Sequence, residues 1–200
     1  MKKGEIIAGA VIAGFLFYSF KGSNLTAKSI NACNMAFGDL SDTQVSSITY
    51  IVQEFEKLGD GHINKLAYIL ATAWHESRLT PIKEYRANSG TALYATQNNY
   101  WYTGFYGRGF VQLTWQTNYA KMSAITGVDL VSNPDLALQP QYAAKILVYG
   151  MLKGSFTGKK LNDYINTTTL DYYNARRIVN GLDKATLIQG YTQDVESKLI

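Results

Sequence analysis

Cysteine is nearly absent from this chain of 200 residues: Cys33 is the one thiol. A single thiol excludes an intrachain disulfide framework and cannot by itself build a metal cluster. The INAC stretch ending at Cys33 has a faint likeness to a bacterial lipid-attachment site, but it lies too far beyond the apolar N-terminal run, and an ordinary thiol is the better reading. Histidine is almost as scarce. His75, in HES, invites a zinc-protease reading, which requires a second histidine four positions along the same helix. Position 79 is leucine, and the other histidine is His62. The sequence therefore gives no support to a zinc site, and a Ser-His-Asp triad is hard to build. GSFTGKK, residues 154–160, has too short a glycine spacing for a phosphate loop, and a lysine where magnesium needs a hydroxyl. It reads as a helix terminus. The sequence calls for no cofactor and no metal.

Charge is also sparse, at 17% of residues against 46% apolar. The net charge of +4 and the pI near 9.0 suggest a polyanion partner only until the excess is located. Lys2, Lys3, Lys21 and Lys28, against Glu5, place most of it in the first 33 residues. The rest is nearly neutral, which argues against a nucleic-acid groove. Acids are scarcest of all in the middle of the chain, where Glu84 is the one carboxylate between Ser77 and Val128.

Residues 6–20, IIAGAVIAGFLFYSF, carry no charge and are flanked by Lys3 and Lys21. This run predicts an N-terminal transmembrane helix over residues 1–21 that holds the chain in a lipid membrane through residues 6–20. It is shorter than the roughly 20 residues of a full span, so a cleaved signal peptide competes with an uncleaved anchor. The lack of a prompt small-x-small site favours the anchor, single-pass with the rest exported. Small polar residues then read as a tether over 22–38, and the folded domain is expected over 39–200.

Ser41 and Gln44 have capping-box spacing ahead of an apolar stripe that stops at Gly59. A second helix is predicted from Ile63 to about Ser77, with Leu66, Ala67, Leu70, Ala73 and Trp74 inward. Residues 78–110 lose periodicity and fill with Tyr, Asn, Gly and Thr, the composition of loops that carry function. A glycine turn then feeds a short strand over 110–114. Helices resume from about Thr117 to Gly127, from Pro140 to Gly154, briefly near 161–165, across 170–179, and through Leu187, Tyr191, Val195 and Leu199. The expectation is a mainly α domain with a small β-hairpin.

Glu76 stands where the second helix gives out, and Glu84 follows in the irregular segment. Two such acids suit acetal cleavage without a cofactor. One gives a proton to the leaving oxygen, and the other, ionised, activates water or steadies the sugar cation. The helix end and Trp74 disfavour charge on Glu76, while Lys83 and Arg86 favour it on Glu84, so Glu76 reads as acid and Glu84 as base. A helix-end salt bridge for Glu76 and a solvated loop acid for Glu84 are the structural alternatives. Aromatic residues such as Tyr85, Trp101 and Tyr106 suit a sugar cleft by stacking, or pack a loop-rich lobe.

ATAWHES, PIKEYR, YGRGFVQLTWQTNY, NPDLAL and ARRIVNG, in this order, resemble the family 19 glycoside hydrolases, chitinase-like enzymes that include compact bacterial and phage endolysins. The resemblance implies a lysozyme-like, two-lobed α+β fold around a cleft, and inverting hydrolysis of β-1,4 bonds next to N-acetylglucosamine. It implies Glu76 as general acid, Glu84 as general base and Thr114 as the hydroxyl that holds the attacking water. Gln112, Asn118 and Asn180 match substrate-side residues. Arg177 matches an arginine that braces the carboxylates, with Arg176 competing. Two departures stand out: the gap from Glu76 to Glu84 is shorter than in larger chitinases, and Phe110 replaces a common proline.

The resulting expectation is a membrane-anchored hydrolase of peptidoglycan or a chitin-type glycan, serving phage entry or bacterial lysis, with a phage virion membrane as one location. The rivals are a lytic transglycosylase using Glu76 alone, and a catalytically silent glycan-binding or virion structural protein.

Overall fold

Ser41 closes the start of its helix as its spacing demands: its hydroxyl accepts from the Gln44 amide while the Gln44 side chain accepts from the Ser41 amide. In the computed structural model, which describes residues 24–200, this helix, α2, runs Asp42–Leu58 and ends at Gly59. It is preceded by α1 (Asn24–Phe37) and followed by α3 (Ile63–Ser77). After an irregular segment come β1 (Ile82–Lys83), α4 (Ala92–Gln97), β2 (Arg108–Gly109) and α5 (Gln116–Thr126). The chain finishes with α6 (Pro140–Lys153), α7 (Tyr172–Ala175) and α8 (Ala185–Leu199), joined by short 3-10 turns. Local chemistry sets many of these ends. Pro140 opens α6 where its missing N–H costs nothing, and Gly127 and Gly154 close α5 and α6 in left-handed conformations.

The centre is α3, buried at every position from Asn64 to Ala73. A helix buried on all sides belongs inside a helical stack. It packs along α8, α2 packs on α6, and α1 lies across α8 and α2. The polar groups buried at its start are paired. Asn64 donates to the Tyr172 hydroxyl (2.8 Å) and to Glu196, and Lys65 meets Asp60 and Asn162. A second, smaller cluster of Phe105, Leu113, Tyr119, Met122, Leu130, Ala137 and Ile146 builds a neighbouring core. Phe156 packs against both cores, and Gly150 makes room for it: a Cβ there would stand 2.0 Å from the Phe156 ring.

Four expectations are corrected. The tether over 22–38 is, from Asn24 to Phe37, a helix whose Ala32 and Cys33 are wholly buried. Phe37 stacks on Trp74 at 4.3 Å. The buried face of α1 is Thr26, Ser29, Ala32 and Cys33, small side chains that let helices approach closely but leave no large apolar stripe. The strand over 110–114 is a turn: Gln112 has φ 55°, and only a bridge between Arg108 and Leu113 closes it. The β element is not a local hairpin, because β1 and β2 pair antiparallel across residues 84–107 with Lys83 opposite Arg108. Finally, α8 buries Ala185, Ile188, Thr192, Val195 and Leu199, a face rotated from the expected one, so Leu187 is exposed.

The transmembrane helix and membrane contact expected over residues 1–21 and 6–20 lie outside the described residues. Among the described residues no helix is long and apolar enough to cross a membrane.

Candidate active site

Glu76 lies one residue before the end of α3, where the chain reverses through two successive left-handed residues, Arg78 (φ 54°) and Leu79 (φ 56°). Such a conformation costs a non-glycine residue on the order of 1 kcal/mol or more. Complete burial of Leu79 offsets it, and a buried leucine contributes roughly 1.5–3 kcal/mol. The reversal leaves Glu76 half-buried at the edge of the core, where its Oε1 accepts from Arg176 Nη1. Arg176 is itself buried, and its Nε donates to the Asp183 carbonyl at 3.0 Å. Trp74, expected to shield Glu76, instead stacks on Phe37 and faces the Arg78 guanidinium. Burial pushes the neighbouring His75 below its ordinary range; Glu76 opposes this, and the cations Arg176 and Arg78 reinforce it.

Glu84 follows β1 and is held through both its backbone and its side chain. Its amide donates to the Gly107 carbonyl (2.8 Å), and its Oε2 accepts from the Gly107 amide (2.8 Å). Its Oε1 accepts from Gln97 Nε2 (2.9 Å) and from the Tyr100 hydroxyl (2.7 Å). Gln97 is wholly buried and ties down the whole turn, taking the Ala87 amide on its oxygen and giving a second N–H to the Tyr85 carbonyl. Burial first, then the Glu84 hydrogen bond and charge, push the Tyr100 hydroxyl up to about 12, so it remains a donor across the working pH range. Glu84 is thus not a free loop acid. Three donors occupy three of its roughly four lone-pair sites, which leaves one acceptor position, on Oε2.

Gly107 is glycine for a local reason: a Cβ there would stand 2.6 Å from Gln112 Oε1. Gln112 Nε2 donates to the carbonyls of Ile82 (3.1 Å) and Gly109 (3.2 Å), stapling the turn to β1. Thr114 donates its hydroxyl proton to the Gln112 carbonyl (2.8 Å), so toward any ligand it acts as an acceptor. Asn118 donates to the Thr114 carbonyl (2.8 Å). These three side chains line one pocket of about 150 Å³, with Trp115, Phe156 and Val179 in its wall. A larger pocket of about 440 Å³ lies against Glu84, between Lys83, Tyr85, Ile82 and Leu138.

The other expected residues sit differently. Tyr106 is stacked on Trp101 at 4.4 Å and covered by the Arg108 guanidinium at 4.1 Å. Asn180 is exposed, its Oδ1 accepting from the Gly181 amide (2.8 Å). Arg177 does not reach Glu76; its Nε points to Asn174 Oδ1 at 3.4 Å. The brace on Glu76 is Arg176, the competitor of Arg177 for that role. Tyr172, Ala175 and Arg176 are buried at the i, i+3, i+4 spacing of one helical face, from which Arg177 departs. Arg108 serves as a clamp, binding Asp135 (2.6 Å), the Tyr119 hydroxyl and the carbonyls of Gly104 and Tyr106. Gln97, Tyr100 and the Gly107 amide were not foreseen as partners of Glu84. The only local hint was the Thr91 cap that starts α4 and so places Gln97. Among the described residues, no group of three or more His, Cys, Asp or Glu is placed to hold a metal ion.

A family model described as chitinase class I matches residues 12–149, and the chain belongs to that family, the family 19 glycoside hydrolases. The match includes Glu76, Glu84, Gln112, Thr114 and Asn118 and stops short of Arg176 and Asn180. A stretch of 48 residues is 46% identical to the acidic 27 kDa endochitinase of Solanum lycopersicum; it covers 24% of this chain and 19% of that protein. Chitinase C from Streptomyces griseus HUT6037 superposes with a TM-score of 0.52 at 20% identity, over 87% of this chain and 91% of its own. At that identity the likeness establishes the chitinase-like, mainly helical fold.

Proposed function

We propose that this protein is a peptidoglycan hydrolase that cleaves β-1,4 bonds next to N-acetylglucosamine by an inverting two-carboxylate mechanism, with chitin-type glycans as the alternative substrate of the same chemistry. The observation that carries the proposal is the holding of Glu84 by Gln97, Tyr100 and the Gly107 amide in a chain of this family; the Glu76–Arg176 pair is the helix-end salt bridge of the structural alternative and fixes Glu76 in either role. Catalytic carboxylates need such preorganisation, whereas a surface acid does not. We read the two hydrophobic clusters as the two lobes of a lysozyme-like domain.

In this mechanism Glu76 gives its proton to the leaving glycosidic oxygen. A water attacks the anomeric carbon from the opposite face and passes a proton to the open position on Glu84 Oε2. Thr114, whose own proton is committed to Gln112, accepts the water's other hydrogen and so orients it. The sugar product is released with inverted configuration, and proton exchange with solvent resets both acids. Gln112, Asn118, Asn180, Arg177 and Tyr106 are assigned to the substrate side.

The membrane part of the proposal rests on residues 6–20. With α1 starting at Asn24, only residues 21–23 separate that run from the folded domain. An anchor would hold the enzyme directly against the bilayer, beside the adjacent wall, rather than on a long tether. Opening of the envelope during phage infection, or release late in lysis, both suit this arrangement.

The test is to incubate the full chain with purified peptidoglycan and with the β-1,4 hexamer of N-acetylglucosamine, and to identify the products. The expected result is new reducing ends of inverted configuration, a bell-shaped pH profile, and a loss of about 10²–10⁴-fold in Glu76→Gln. Anhydro-sugar ends with Glu84→Gln still active would replace the proposal with a transglycosylase. Wall binding without cleavage would replace it with a glycan-binding protein.

A further inference from the structure

We propose that Trp115 is the stacking platform for one pyranose ring of the bound glycan, held in register with Glu84 through Tyr100. The inference rests on the hydrolase reading above and assigns it a substrate-positioning residue that the family-matched polar set does not contain.

Trp115 is half-exposed, at 47%, in the wall of the pocket shared by Gln112, Thr114 and Asn118. Its backbone is unusual for a bulky residue, with φ 75° and ψ 134°, in territory that glycine ordinarily occupies. Two sets of hydrogen bonds pin it there. Its amide donates to the Phe105 carbonyl (2.8 Å), and its carbonyl accepts from the amides of Asn118 (3.0 Å) and Tyr119 (3.1 Å). It also occupies the N-cap of α5 without a side-chain cap, where Ser, Thr, Asp or Asn would satisfy an open amide. Neither helix capping nor core burial explains a tryptophan at this point. A pinned backbone carrying an exposed indole is what a rigid apolar platform requires.

The indole is also placed relative to the chemistry. Its ring meets that of Tyr100 edge-on, with centroids 5.3 Å apart and planes at 64°, and the Tyr100 hydroxyl donates to Glu84 Oε1. A ring seated on Trp115 is therefore referenced to the Glu84 carboxylate through one intervening side chain. The other tryptophans are engaged: Trp74 stacks on Phe37, and Trp101 on Tyr106. Tyr85 and Tyr102 are more exposed than Trp115, at 86% and 78%; Gln97 ties the Tyr85 backbone to Glu84, but Trp115 is the one of the three whose ring packs on a side chain that donates to Glu84. The chemistry fits the apolar face of a β-1,4-linked N-acetylhexosamine, whose C–H groups pack on an indole while its hydroxyls and acetamido group find Asn118, Gln112 and Thr114.

The experiment uses the full chain carrying Glu76→Gln, which binds without turnover, titrated calorimetrically with the N-acetylglucosamine hexamer and with soluble peptidoglycan glycan strands. Trp115→Ala is expected to weaken binding about tenfold, with an unchanged thermal midpoint, and Trp115→Phe to keep most of the affinity. In the Glu76 background, Trp115→Ala is expected to raise KM by a similar factor with a smaller change in kcat. Undiminished binding in folded Trp115→Ala would overturn the platform and leave the hydrolase reading intact. If Trp115→Ala does not fold, N-bromosuccinimide oxidation of Trp115 in the unsubstituted chain decides the matter: protection by the hexamer or the glycan strands supports the platform, and equal oxidation with and without them overturns it. Absence of both binding and cleavage in the unsubstituted chain would overturn both readings.

Discussion

Arg176 donates to Glu76 across 100 residues of chain, joining the end of α3 to the 3-10 turn that follows α7. The guanidinium is buried, and the carboxylate is about one-fifth exposed. The pair therefore ties the helical core to the edge where Glu76 meets solvent.

Arg176→Ala removes this donor and also leaves the Asp183 carbonyl without a partner. Folding stability should fall by about 1–3 kcal/mol, and glycan cleavage by at least about tenfold, since a misplaced acid loses its alignment. Arg176→Lys should recover charge but not the two-pronged geometry. Arg177→Ala, at an exposed site, should change stability by no more than about 0.5 kcal/mol. Urea denaturation of the three variants distinguishes these outcomes, and equal losses from Arg176→Ala and Arg177→Ala would count against the bracing role.

Gly107→Ala places a Cβ against Gln112 Oε1 and must push apart the amide that holds Glu84 and the side chain that staples β1. Overpacking of this kind costs about 1–3 kcal/mol. The functional loss should exceed what that destabilisation explains, with activity down at least about tenfold at temperatures well below unfolding. The check is thermal denaturation beside a hydrolysis assay; full activity in a destabilised protein would contradict the assignment of Gly107 as part of the Glu84 cradle.

Cys33 is wholly buried in α1, and burial pushes its thiol up to about 12. The thiolate needed for alkylation is therefore both scarce and inaccessible. Iodoacetamide should leave the native full chain unmodified at pH 8 and label it stoichiometrically in urea. Mass spectrometry of the native protein should likewise find no lipid on Cys33, since an acyl chain has no room beside Ala32 in the core.

His75 supplies a pH signature. Burial, reinforced by Arg176 and Arg78 against the opposing charge of Glu76, lowers its folded-state pKa below the ordinary value of 6.5. The unfolded chain then takes the proton first as pH falls. The stability contribution of this group is complete above about pH 6.5 and drains away as pH falls from there through the folded value. Proton NMR should place the imidazole midpoint below 6.5. His75→Gln should flatten the fall in unfolding free energy between pH 7 and pH 5, and an unchanged slope would show that other groups produce it.

Helix ends were legible in the sequence because they depend on neighbours a few residues apart. The Ser41–Gln44 box, Gly59, Gly127, Pro140 and Gly154 each act locally, and each stands at the end of its helix in the structure. The extent of α3 and its apolar stripe were legible too, though not its burial on every side. α1 was not, because its buried face is made of small residues whose value lies in how closely α8 and α2 approach it, and no spacing rule records that.

By itself the sequence determined which residues the proposal could draw on: a chain nearly empty of histidine, with one thiol, has Glu84 as the one acid between Ser77 and Val128 that could partner Glu76 from the central loop. Only the tertiary structure decided what holds them. Gln97, Tyr100 and Gly107 converge on Glu84 from 13 to 23 residues away, and Arg176 reaches Glu76 from 100. Which of two adjacent arginines arrives is set by the face α7 turns to the core. Spacing fixes local hydrogen bonds, whereas contacts across such distances are selected by how the helices pack.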